Sequence, residues 1–391
     1  MFSTRTNWPL APNRLSSLLH DRLARGLPVL DLTESNPTRC GFSFDPQEIL
    51  APLRHPRALI YEPDPRGIRR TREVVAQYYS ERGAHLDPDQ IFLTASTSEA
   101  YSFVFRLLAN PGDTILAPQP SYPLFDFLGA LNDVEILPYP LVYHDEWRVD
   151  LEALASRRGP HLRAVLVVHP NNPTGSYIRQ REHERMIDLC RRNQAAIIAD
   201  EVFADYAFGE SAERVATHAQ ESDVLTFALS GLSKICALPQ MKLGWIVVTG
   251  PSPLRSEAMS RLEVIADTYL SVNAPVALAA PQWLARRHAI QAQILGRVKA
   301  NLGRLEAMLT PGLPVSKLKA DGGWYAILRV PSHRSDEEWA ADLITAEGVS
   351  VHPGHFYDFP ADGFLVLSLL PEPEVFETAA AKVISLICAG S

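Results

Sequence analysis

The sequence predicts an α/β protein, with a large domain built on a mostly parallel sheet between helices and a smaller α+β domain. Two observations support this prediction. Between residues 55 and 250, short apolar runs alternate with helical stretches, and most runs are continuously apolar, as strands covered on both faces are. After residue 250, long helices are followed by strands and helices in mixed order, which is typical of an α+β domain.

The N-terminal segment has one predicted helix, Arg14–Arg25, followed by extended chain interrupted by prolines. This segment has too little apolar content to form a core of its own. We therefore expect residues 1–50 to pack with the small domain. Residues 51–275 are expected to form the large domain, and residues 276–391 the small C-terminal one.

The large domain is predicted to contain seven strands with helices between them. The predicted strands are Ile91–Thr94, Thr114–Ala117, Val134–Leu137, Ala164–His169, Ala196–Ala199, Val224–Leu229 and Leu243–Thr249. The predicted helices are Ser98–Leu108, Ser121–Leu131 and Gln180–Arg192. In open α/β sheets, ligands bind at the carboxyl ends of the strands, so we expect the functional residues there.

The C-terminal part of the chain begins with two helical stretches, and the second is long enough to connect two domains. The predicted helices of this part are Pro253–Leu270, Pro275–Leu309, Ser335–Glu347 and Glu372–Cys388. The predicted strands are Gly323–Val330, Val349–His352 and Phe364–Leu369.

Composition excludes several classes of function. The 391 residues carry a net charge of −8, which argues against a nucleic-acid-binding surface. No stretch approaches the roughly 18 uncharged apolar residues that a membrane helix needs, so we expect no membrane association. Met1–Leu10 shows no apolar signal region, and this favours a cytoplasmic protein.

The four cysteines are widely scattered, and no two form a Cys-x-x-Cys pair. They are Cys40, Cys190, Cys236 and Cys388. This pattern indicates reduced thiols, not a disulfide framework or a zinc site. We therefore predict no metal site.

Three polar residues follow predicted strands and complement one another chemically. Lys234 follows the run Val224–Leu229, Asp200 ends the run that begins at Ala196, and Asn172 follows another strand. An amine, a carboxylate and an amide at one sheet edge are the groups needed to hold pyridoxal phosphate. The amine would form the Schiff base, the acid would keep the pyridine nitrogen protonated, and the amide would bond the ring oxygen.

Each of these residues also has an ordinary structural interpretation when taken alone. Lys234 would be a solvated loop lysine, and Lys242, eight residues on, is a rival amine. Asn172 would belong to a turn, because Asn, Pro and Gly all favour turns. Asp200 would be a helix N-cap or part of a surface salt bridge.

A fourth segment, Ser96, Thr97 and Ser98, follows the strand at Ile91 and opens a helix. Hydroxyls and free N–H groups at a helix N-terminus can bind a phosphate. The alternative is an ordinary N-cap, because Ser and Thr are favoured there.

Taken together, these motifs resemble the fold-type-I pyridoxal-phosphate enzymes, and within them the class I/II aminotransferases. The resemblance covers nearly the whole chain in the right order. The matching stretches are Tyr61 with Gly67, Thr94–Ala100, Pro120–Tyr122, Asn171–Gly175, Asp200-Glu201, Ser233-Lys234, Lys242–Trp245, Gly322-Gly323 and Pro353-Gly354.

The resemblance implies a role for each matching residue around the cofactor. Lys234 would carry the internal aldimine. Asp200 would pair with the pyridinium nitrogen, and Asn172 would bond the ring hydroxyl. The segment Ser96–Ser98 would hold the phosphate, with the cation at Lys242.

Two aromatic residues gain their roles mainly from the resemblance. Tyr122 would stack on the cofactor ring; a core tyrosine is the alternative. Tyr61 would reach the phosphate of the neighbouring subunit, which implies a homodimer with shared active sites. Its alternative is an ordinary surface aromatic.

Two positions depart from the family pattern around the cofactor. Lys242 stands where an arginine is usual, and a lysine supplies charge without the bidentate fork. Phe203 stands where many members have a tyrosine that bonds the ring oxygen. Tyr206 lies three residues further on.

A third departure concerns the substrate. Val366 stands where the family has its carboxylate-binding arginine, and an apolar residue cannot pair with a carboxylate. Arg39, His352 and His355 are the candidate replacements. Their alternatives are an exposed loop arginine and solvated or core histidines.

The sequence therefore predicts a pyridoxal-phosphate-dependent aminotransferase. It would move an amino group between an amino acid, or an amine, and a 2-oxo acid by a ping-pong scheme through a Lys234 aldimine. The alternative on the same scaffold is a carbon–sulfur lyase or a decarboxylase. A non-catalytic ligand-binding relative is a third hypothesis, and the joint presence of Lys234, Asp200 and Asn172 argues against it.

Overall fold

The structure, a computed structural model, describes residues 1–157 and 159–390. Its strands follow in chain order. They are β1 (Leu30–Asp31), β2 (Ile91–Thr94), β3 (Thr114–Gln119), β4 (Glu135–His144), β5 (Glu146–Val149), β6 (Leu162–Val168), β7 (Ala196–Asp200), β8 (Thr226–Gly231), β9 (Gly244–Thr249), β10 (Ser316–Lys317), β11 (Tyr325–Arg329), β12 (Val349–Ser350), β13 (His352–Pro353) and β14 (Phe364–Ser368).

The α-helices flank these strands. They are α1 (Arg14–Ala24), α2 (Pro46–Leu50), α3 (Arg69–Ser80), α4 (Thr97–Leu108), α5 (Phe125–Leu131), α6 (Leu151–Ser156), α7 (Gln180–Asn193), α8 (Leu232–Ile235), α9 (Ser252–Thr268), α10 (Ala274–Met308), α11 (Asp336–Asp342) and α12 (Pro373–Ala389). Within the described residues, none of these helices is both long and apolar enough to cross a bilayer.

In the described part of the chain, eight strands form the main sheet, in the order β2-β9-β8-β7-β6-β3-β4-β5. Strands β8, β7, β6, β3 and β4 are parallel neighbours. Strand β9 runs antiparallel to both β8 and β2, and β5 runs antiparallel to β4. The predicted α/β class with a mostly parallel sheet is confirmed.

The central strands are buried on both faces, as their continuous apolar runs predict. In β6, Val165 and Val167 pack into one apolar cluster. Their neighbours Leu166 and Val168 pack into another cluster on the opposite face. Because alternate side chains point to opposite faces of a sheet, this burial leaves only the strand ends free to carry polar groups.

A second sheet has the order β10-β11-β14-β13, with antiparallel pairing throughout. Strand β1, from the N-terminal segment, pairs in parallel with β12, and helix α1 contacts α11. Helix α10, 35 residues long, contacts both α3 and α12. It therefore connects the packing around the main sheet to the packing around the second sheet.

Several elements differ from the prediction. Strands β1 and β10 and helices α2, α3, α6 and α8 were not predicted, and the strand predicted over Val349–His352 is divided into β12, which pairs with β1, and β13, which pairs with β14. Strand β5 has no counterpart among the predicted strands; it pairs with β4 alone. The helix predicted to start at Ser121 begins at Phe125. The reason is that Ser121 is held in the preceding loop, where its N–H donates to the Tyr357 carbonyl at 3.0 Å.

Candidate active site

The polar residues predicted at strand ends lie on one edge of the main sheet. Strands β6, β7 and β8 run in parallel, so their carboxyl ends share that edge. Strand β9 runs the other way and begins there: Gly244 pairs with Gly231 at the end of β8 and with Thr94 at the end of β2. The topology thus brings together residues that are far apart in sequence.

Lys234 lies on the short helix α8, directly after β8. Its Nζ atom lies 4.9 Å from the centroid of the Trp324 ring and 5.4 Å from that of Phe203. Burial lowers the pKa of the Lys234 amine to about 8, and the negative charge of Asp200 opposes this shift. Lys234 is therefore not the solvated loop lysine that was the alternative.

The backbone of α8 is held from two sides. The Tyr206 hydroxyl donates to the Lys234 carbonyl at 2.6 Å, and the Gln291 amide donates to the Ile235 carbonyl at 2.9 Å. At Gly231, just before the helix, a Cβ atom would lie 2.8 Å from the Leu243 carbonyl oxygen. The tight approach of β9 thus requires glycine there.

Asp200 is the last residue of β7 and is buried. Its Oδ2 accepts a hydrogen bond from the Tyr101 hydroxyl at 2.8 Å, and its Oδ1 accepts one from the Val202 N–H at 3.0 Å. Burial raises the pKa of this carboxyl, while the two hydrogen bonds and Lys234 lower it. The surroundings of Asp200 are therefore those of a buried carboxylate that benefits from a cationic partner.

Two adjacent asparagines follow β6 and differ in their contacts. Asn171 accepts a hydrogen bond from the Ser121 hydroxyl at 2.8 Å, and its amide donates to the Pro120 carbonyl and the Thr174 hydroxyl. By contrast, Oδ1 of Asn172 is buried and has no hydrogen-bond partner among the described residues. Asn171 thus serves the loop structure, and Asn172 has a polar group to offer a ligand.

Helix α4 begins where β2 ends. Ser96 is its N-cap, with the Ser96 hydroxyl accepting the Glu99 N–H at 3.1 Å. Thr97 is partly exposed and Ser98 is exposed. The hydroxyl of Ser96 is therefore engaged in capping, while the first N–H groups of the helix have no carbonyl partner within it.

Lys242 and Tyr61 lie nearer the surface. Lys242 is exposed, with a left-handed backbone conformation (φ 52°), two residues before β9. It therefore lies on the same sheet edge as Ser96. Tyr61 is 75% exposed and lines a cavity of about 230 Å³ together with Val272.

Tyr122 lies beside the sheet edge in the loop before α5. Its ring packs edge-on against Phe125, with 5.6 Å between centroids. Burial, with the charges of Asp200 and Tyr325, raises the pKa of the Tyr122 hydroxyl to about 12. The hydroxyl is therefore neutral at physiological pH.

The second sheet closes the other side of this region. On β14, Val366 is fully buried and lies opposite Ile327 and His352 on the neighbouring strands. Residues directly opposite each other share a face of a sheet. Tyr325, opposite Ser368, therefore lies on the same face as Val366.

Several polar side chains lie close together on that face. The Tyr325 hydroxyl interacts with the side chains of Ser35 and Tyr357, and the Tyr357 hydroxyl lies 3.1 Å from Nδ1 of His352. Burial lowers the pKa of His352 despite the opposing charge of Asp31, so the ring is neutral at pH 7. This face is polar but carries no fixed positive charge at these positions.

The two candidate substrate cations, Arg39 and His355, are both exposed. Arg39 ends a 3-10 turn, Pro37–Arg39, just after a stretch bound to β14 through the Ser368 hydroxyl and the Glu34 carbonyl. Within the described residues, the Arg39 side chain forms no ion pair or hydrogen bond. The His355 ring packs against Phe356. Neither side chain contacts Lys234, Asp200 or Asn172.

Two residues of this region were not singled out from the sequence. Tyr101 bonds Asp200, and Trp324 lies against Lys234. A signal existed for Tyr101: it shares a buried helix face with Phe105, four residues on, and a hydroxyl on such a face needs a partner. For Trp324 no local signal was present, because its position depends on contacts distant in sequence.

A junction of two glycines joins the sheets near these residues. Gly175 has a left-handed backbone (φ 68°), and a Cβ on it would collide with the Gly322 carbonyl oxygen. Across this junction the Asp321 N–H donates to the Gly175 carbonyl at 3.2 Å, and the Gly323 N–H to the Tyr206 carbonyl at 2.9 Å. The contact is therefore made by backbone alone.

The residues fit the cofactor predicted from the sequence. The buried Asp200 carboxylate suits a protonated ring nitrogen, and the unpartnered Oδ1 of Asn172 shows a buried amide left without its full set of bonds. Lys234 supplies an amine whose pKa is lowered. This combination of groups suits a pyridine ring with an aldehyde.

Comparison with known proteins agrees with this geometry. Residues 54–382 match the family model for aminotransferase class I and II. The chain is 26% identical to glutamate-pyruvate aminotransferase AlaA of Escherichia coli (strain K12), over 91% of this chain and 90% of that protein. It is 29% identical to an alanine aminotransferase of Mycobacterium bovis, over 89% of this chain and 83% of the relative.

Among solved structures, the alanine aminotransferase from Pyrococcus furiosus matches with a TM-score of 0.87, at 22% identity, over 99% of both chains. That similarity supports the fold, and the family model covers most of the chain. The chain therefore belongs to the class I and II aminotransferases and is a pyridoxal-phosphate-dependent aminotransferase.

Proposed function

We propose that Lys234 attaches the cofactor covalently and afterwards moves the proton of the substrate. The observation that carries this proposal is a half-buried amine packed on two aromatic rings near the buried Asp200 carboxylate, with its pKa lowered to about 8. An amine that is partly unprotonated near neutral pH is both a nucleophile and a base. Once released by the incoming amino group, Lys234 Nζ takes a proton from the α-carbon of the substrate.

Asp200 and Asn172 would hold the ring of the cofactor. When bound, pyridoxal phosphate supplies an electron-withdrawing ring that stabilises the charge left by removal of the α-proton. Asp200 would keep the ring nitrogen protonated, supported by the hydrogen bonds from Tyr101 and Val202. The amide of Asn172 would bond the ring hydroxyl, and Tyr122 would cover one ring face.

The N-terminus of α4 would bind the phosphate. Free N–H groups and the helix dipole favour an anion there, and the hydroxyls of Thr97 and Ser98 add donors. The Ser96 hydroxyl already accepts the Glu99 N–H. We therefore propose that Ser96 contributes to phosphate binding mainly through its position in the turn that begins α4, and less through its hydroxyl. Lys242, on the same sheet edge, would add positive charge.

The substrates we propose are an α-amino acid as donor and a 2-oxo acid as acceptor. Support comes from the relatives, whose names specify glutamate–pyruvate and alanine aminotransferases. Alanine and glutamate are therefore the first donors to test. Arg39 and His355 are proposed as the groups that meet the substrate carboxylate, because Val366 leaves β14 without a cation.

We also propose that two copies of the chain form the active unit, with Tyr61 reaching the phosphate bound by the other copy. Several large apolar side chains beside Tyr61 are exposed, which a second copy would cover. They include Leu59 at 93%, Leu270 at 69% and Ile60 at 54%. Light scattering should give twice the mass of one chain, and Tyr61→Phe should weaken cofactor binding.

The domain division predicted from the sequence stays a proposal, with residues 1–50 joining 276–391. It is supported by the pairing of β1 with β12 and by the contact of α1 with α11. We further propose a cytoplasmic location. The four cysteines are unpaired and three of them are buried, as suits a reducing compartment.

One experiment tests the catalytic proposal. The purified protein, loaded with pyridoxal phosphate, is reduced with borohydride and the modified peptide is mapped by mass spectrometry. We expect the adduct on Lys234, and Lys234→Ala should lower kcat by roughly four to six orders of magnitude. Lys299→Ala, at an exposed position on α10, is the matched control and should retain activity.

An adduct on Lys242, or no adduct, would contradict the assignment. The reaction class is tested with alanine or glutamate alone, which should convert the bound cofactor to its amino form and release a 2-oxo acid. Release of ammonia or carbon dioxide would instead indicate a lyase or a decarboxylase.

A further inference from the structure

The amine of Lys234 lies beside two aromatic rings that also contact each other. Its Nζ atom is 4.9 Å from the Trp324 ring centroid and 5.4 Å from that of Phe203. The two rings meet edge-on, with centroids 5.1 Å apart and planes at 78°. Both side chains are buried, Trp324 completely. We call these two residues the aromatic pair.

The backbone on each side of Trp324 is fixed by hydrogen bonds. The Gly323 N–H donates to the Tyr206 carbonyl at 2.9 Å, and the Leu369 N–H donates to the Trp324 carbonyl at 2.8 Å. The ring itself packs against Tyr206, with centroids 5.0 Å apart. Because the Tyr206 hydroxyl also holds the Lys234 carbonyl, the ring and the lysine backbone are positioned by the same residue.

Phe203 is fixed in a similar way on the other side. It follows the end of β7 by three residues, and its carbonyl accepts the Tyr206 N–H at 2.9 Å. The turn that follows Asp200 therefore also positions the Phe203 ring. Thus the aromatic pair, the carboxylate and the amine form one connected unit.

An aromatic face has a property that suits a group that must gain and lose a proton. It attracts a cation through the ring quadrupole, yet it offers no lone pair that would bind the proton strongly. A carboxylate or a hydroxyl in the same place would accept a hydrogen bond and would bias the proton toward itself. Asp200 is the charged group whose field reaches the amine.

We propose that Phe203 and Trp324 are positioning residues that hold the Lys234 ammonium by their ring faces while it carries the proton of the substrate. In that step the C–H bond of the α-carbon breaks and an N–H bond forms at Nζ. The electron pair stays on the substrate, and a bound cofactor ring would withdraw it. This inference rests on the proposed role of Lys234 and extends it to two residues that contact the reacting amine.

The test compares variants that keep or remove a ring. Trp324→Phe keeps an aromatic face, whereas Trp324→Leu and Phe203→Leu each remove one. In the full-length protein freed of cofactor, the pKa of Lys234 is measured from the pH dependence of its acetylation, followed by peptide mass spectrometry. Circular dichroism and melting temperature check the fold of each variant.

Loss of a ring face removes a stabilising contact from the charged form, so the pKa of Lys234 should fall. We expect a fall of about half a unit to one unit in each leucine variant, and little change in Trp324→Phe. In the cofactor-loaded enzyme, where the unprotonated amine takes the substrate proton, the acidic limb of the pH profile of kcat should move to lower pH as well.

An unchanged or raised pKa in both leucine variants would overturn the proposal, because the rings would then serve only to exclude water. If Trp324→Leu does not fold, Phe203→Leu decides the question alone. The role of Lys234 is checked separately by borohydride mapping in the unaltered protein. An adduct on Lys234 with unchanged pKa values would therefore reject the aromatic pair without rejecting the catalytic lysine.

Discussion

The two halves of the proposed active site are built differently: the strand ends around Lys234, proposed to hold the cofactor (the cofactor half), and the β14 face, proposed to meet the substrate (the substrate half). In the cofactor half, Lys234, Asp200 and Asn172 come from the ends of neighbouring strands of one sheet. In the substrate half, Tyr325 and Val366 come from the second sheet, and Ser35 comes from the N-terminal segment. The first half depends on one local topology, and the second depends on three separate parts of the chain meeting.

The two halves also differ in charge. The cofactor half contains a buried carboxylate and a half-buried amine whose opposite charges influence each other. The face of β14 carries neutral hydroxyls and an imidazole that burial keeps neutral. Chemistry common to the family therefore concentrates in the first half. Substitutions in both halves should expose this contrast in charge, most strongly at Asp200 and most weakly at Tyr325.

Asp200→Asn tests whether the cofactor half depends on charge. Asparagine keeps the shape and the acceptor for the Val202 N–H, but it cannot keep a ring nitrogen protonated. We expect kcat to fall by about two to four orders of magnitude while the protein stays folded. Asp145→Asn, at an exposed position with a left-handed backbone, is the control. Activity within tenfold of the unaltered enzyme would show that Asp200 is not the partner of the ring.

The neighbouring asparagines separate structure from ligand binding. Asn171→Ala removes three buried hydrogen bonds and should lower the free energy of unfolding by about 2 to 4 kcal/mol. Asn172→Ala should change the stability of the cofactor-free protein little, because its Oδ1 has no partner among the described residues. It should weaken cofactor binding instead.

Denaturant titration and cofactor titration measure these two effects. Equal destabilisation by both variants would mean that Asn172 belongs to the loop and not to the cofactor.

Arg39→Ala tests the substrate half. If Arg39 meets the substrate carboxylate, KM should rise about 10- to 150-fold for donor and acceptor alike, since a charged hydrogen bond contributes about 1.5 to 3 kcal/mol. The value of kcat should change by less than about threefold. Arg25→Ala, also exposed, serves as the control. An unaltered KM would show that Arg39 does not bind the substrate carboxylate. His355 would then be tested in the same way.

Tyr325→Phe should have the smallest effect. It breaks the hydroxyl contacts with Ser35 and Tyr357, so KM for amino acids should rise about two- to fivefold, with a loss of about 1 kcal/mol in stability. Tyr139→Phe is matched to it, because the Tyr139 hydroxyl also donates to a buried partner, the Leu166 carbonyl. A comparable rise in KM for both variants would show that only general stability is involved.

The cofactor half could be predicted from the sequence, and the reason is physical. Continuous apolar runs mark buried strands, parallel strands share a carboxyl edge, and Lys234, Asp200 and Asn172 follow such runs directly. Local sequence was therefore enough to bring these residues together. Most of the predicted strands begin or end within a few residues of the observed ones, and the fold class is confirmed.

The substrate half was not readable because its contacts are distant in sequence. Ser35 meets Tyr325, and His352 lies opposite Val366 only through the register of β13 and β14. Trp324 reaches Lys234 from the segment just before β11, next to the contact of Gly322 with Gly175. No local pattern encodes such pairings. The absence of an arginine at Val366 could be recognised from the sequence, but what surrounds that position could not.

The junction at Gly175 and Gly322 has a consequence for how such an enzyme can change. Where Gly175 meets Gly322, backbone atoms make the contact, so at this point substitutions on the β14 face need not be matched by substitutions beside Asp200. Substrate preference can then drift, or be redesigned, while the cofactor chemistry is inherited intact. In this chain, libraries that vary Val366, Tyr325 and Ser35 while both glycines stay fixed should yield new substrate specificities with little loss of kcat.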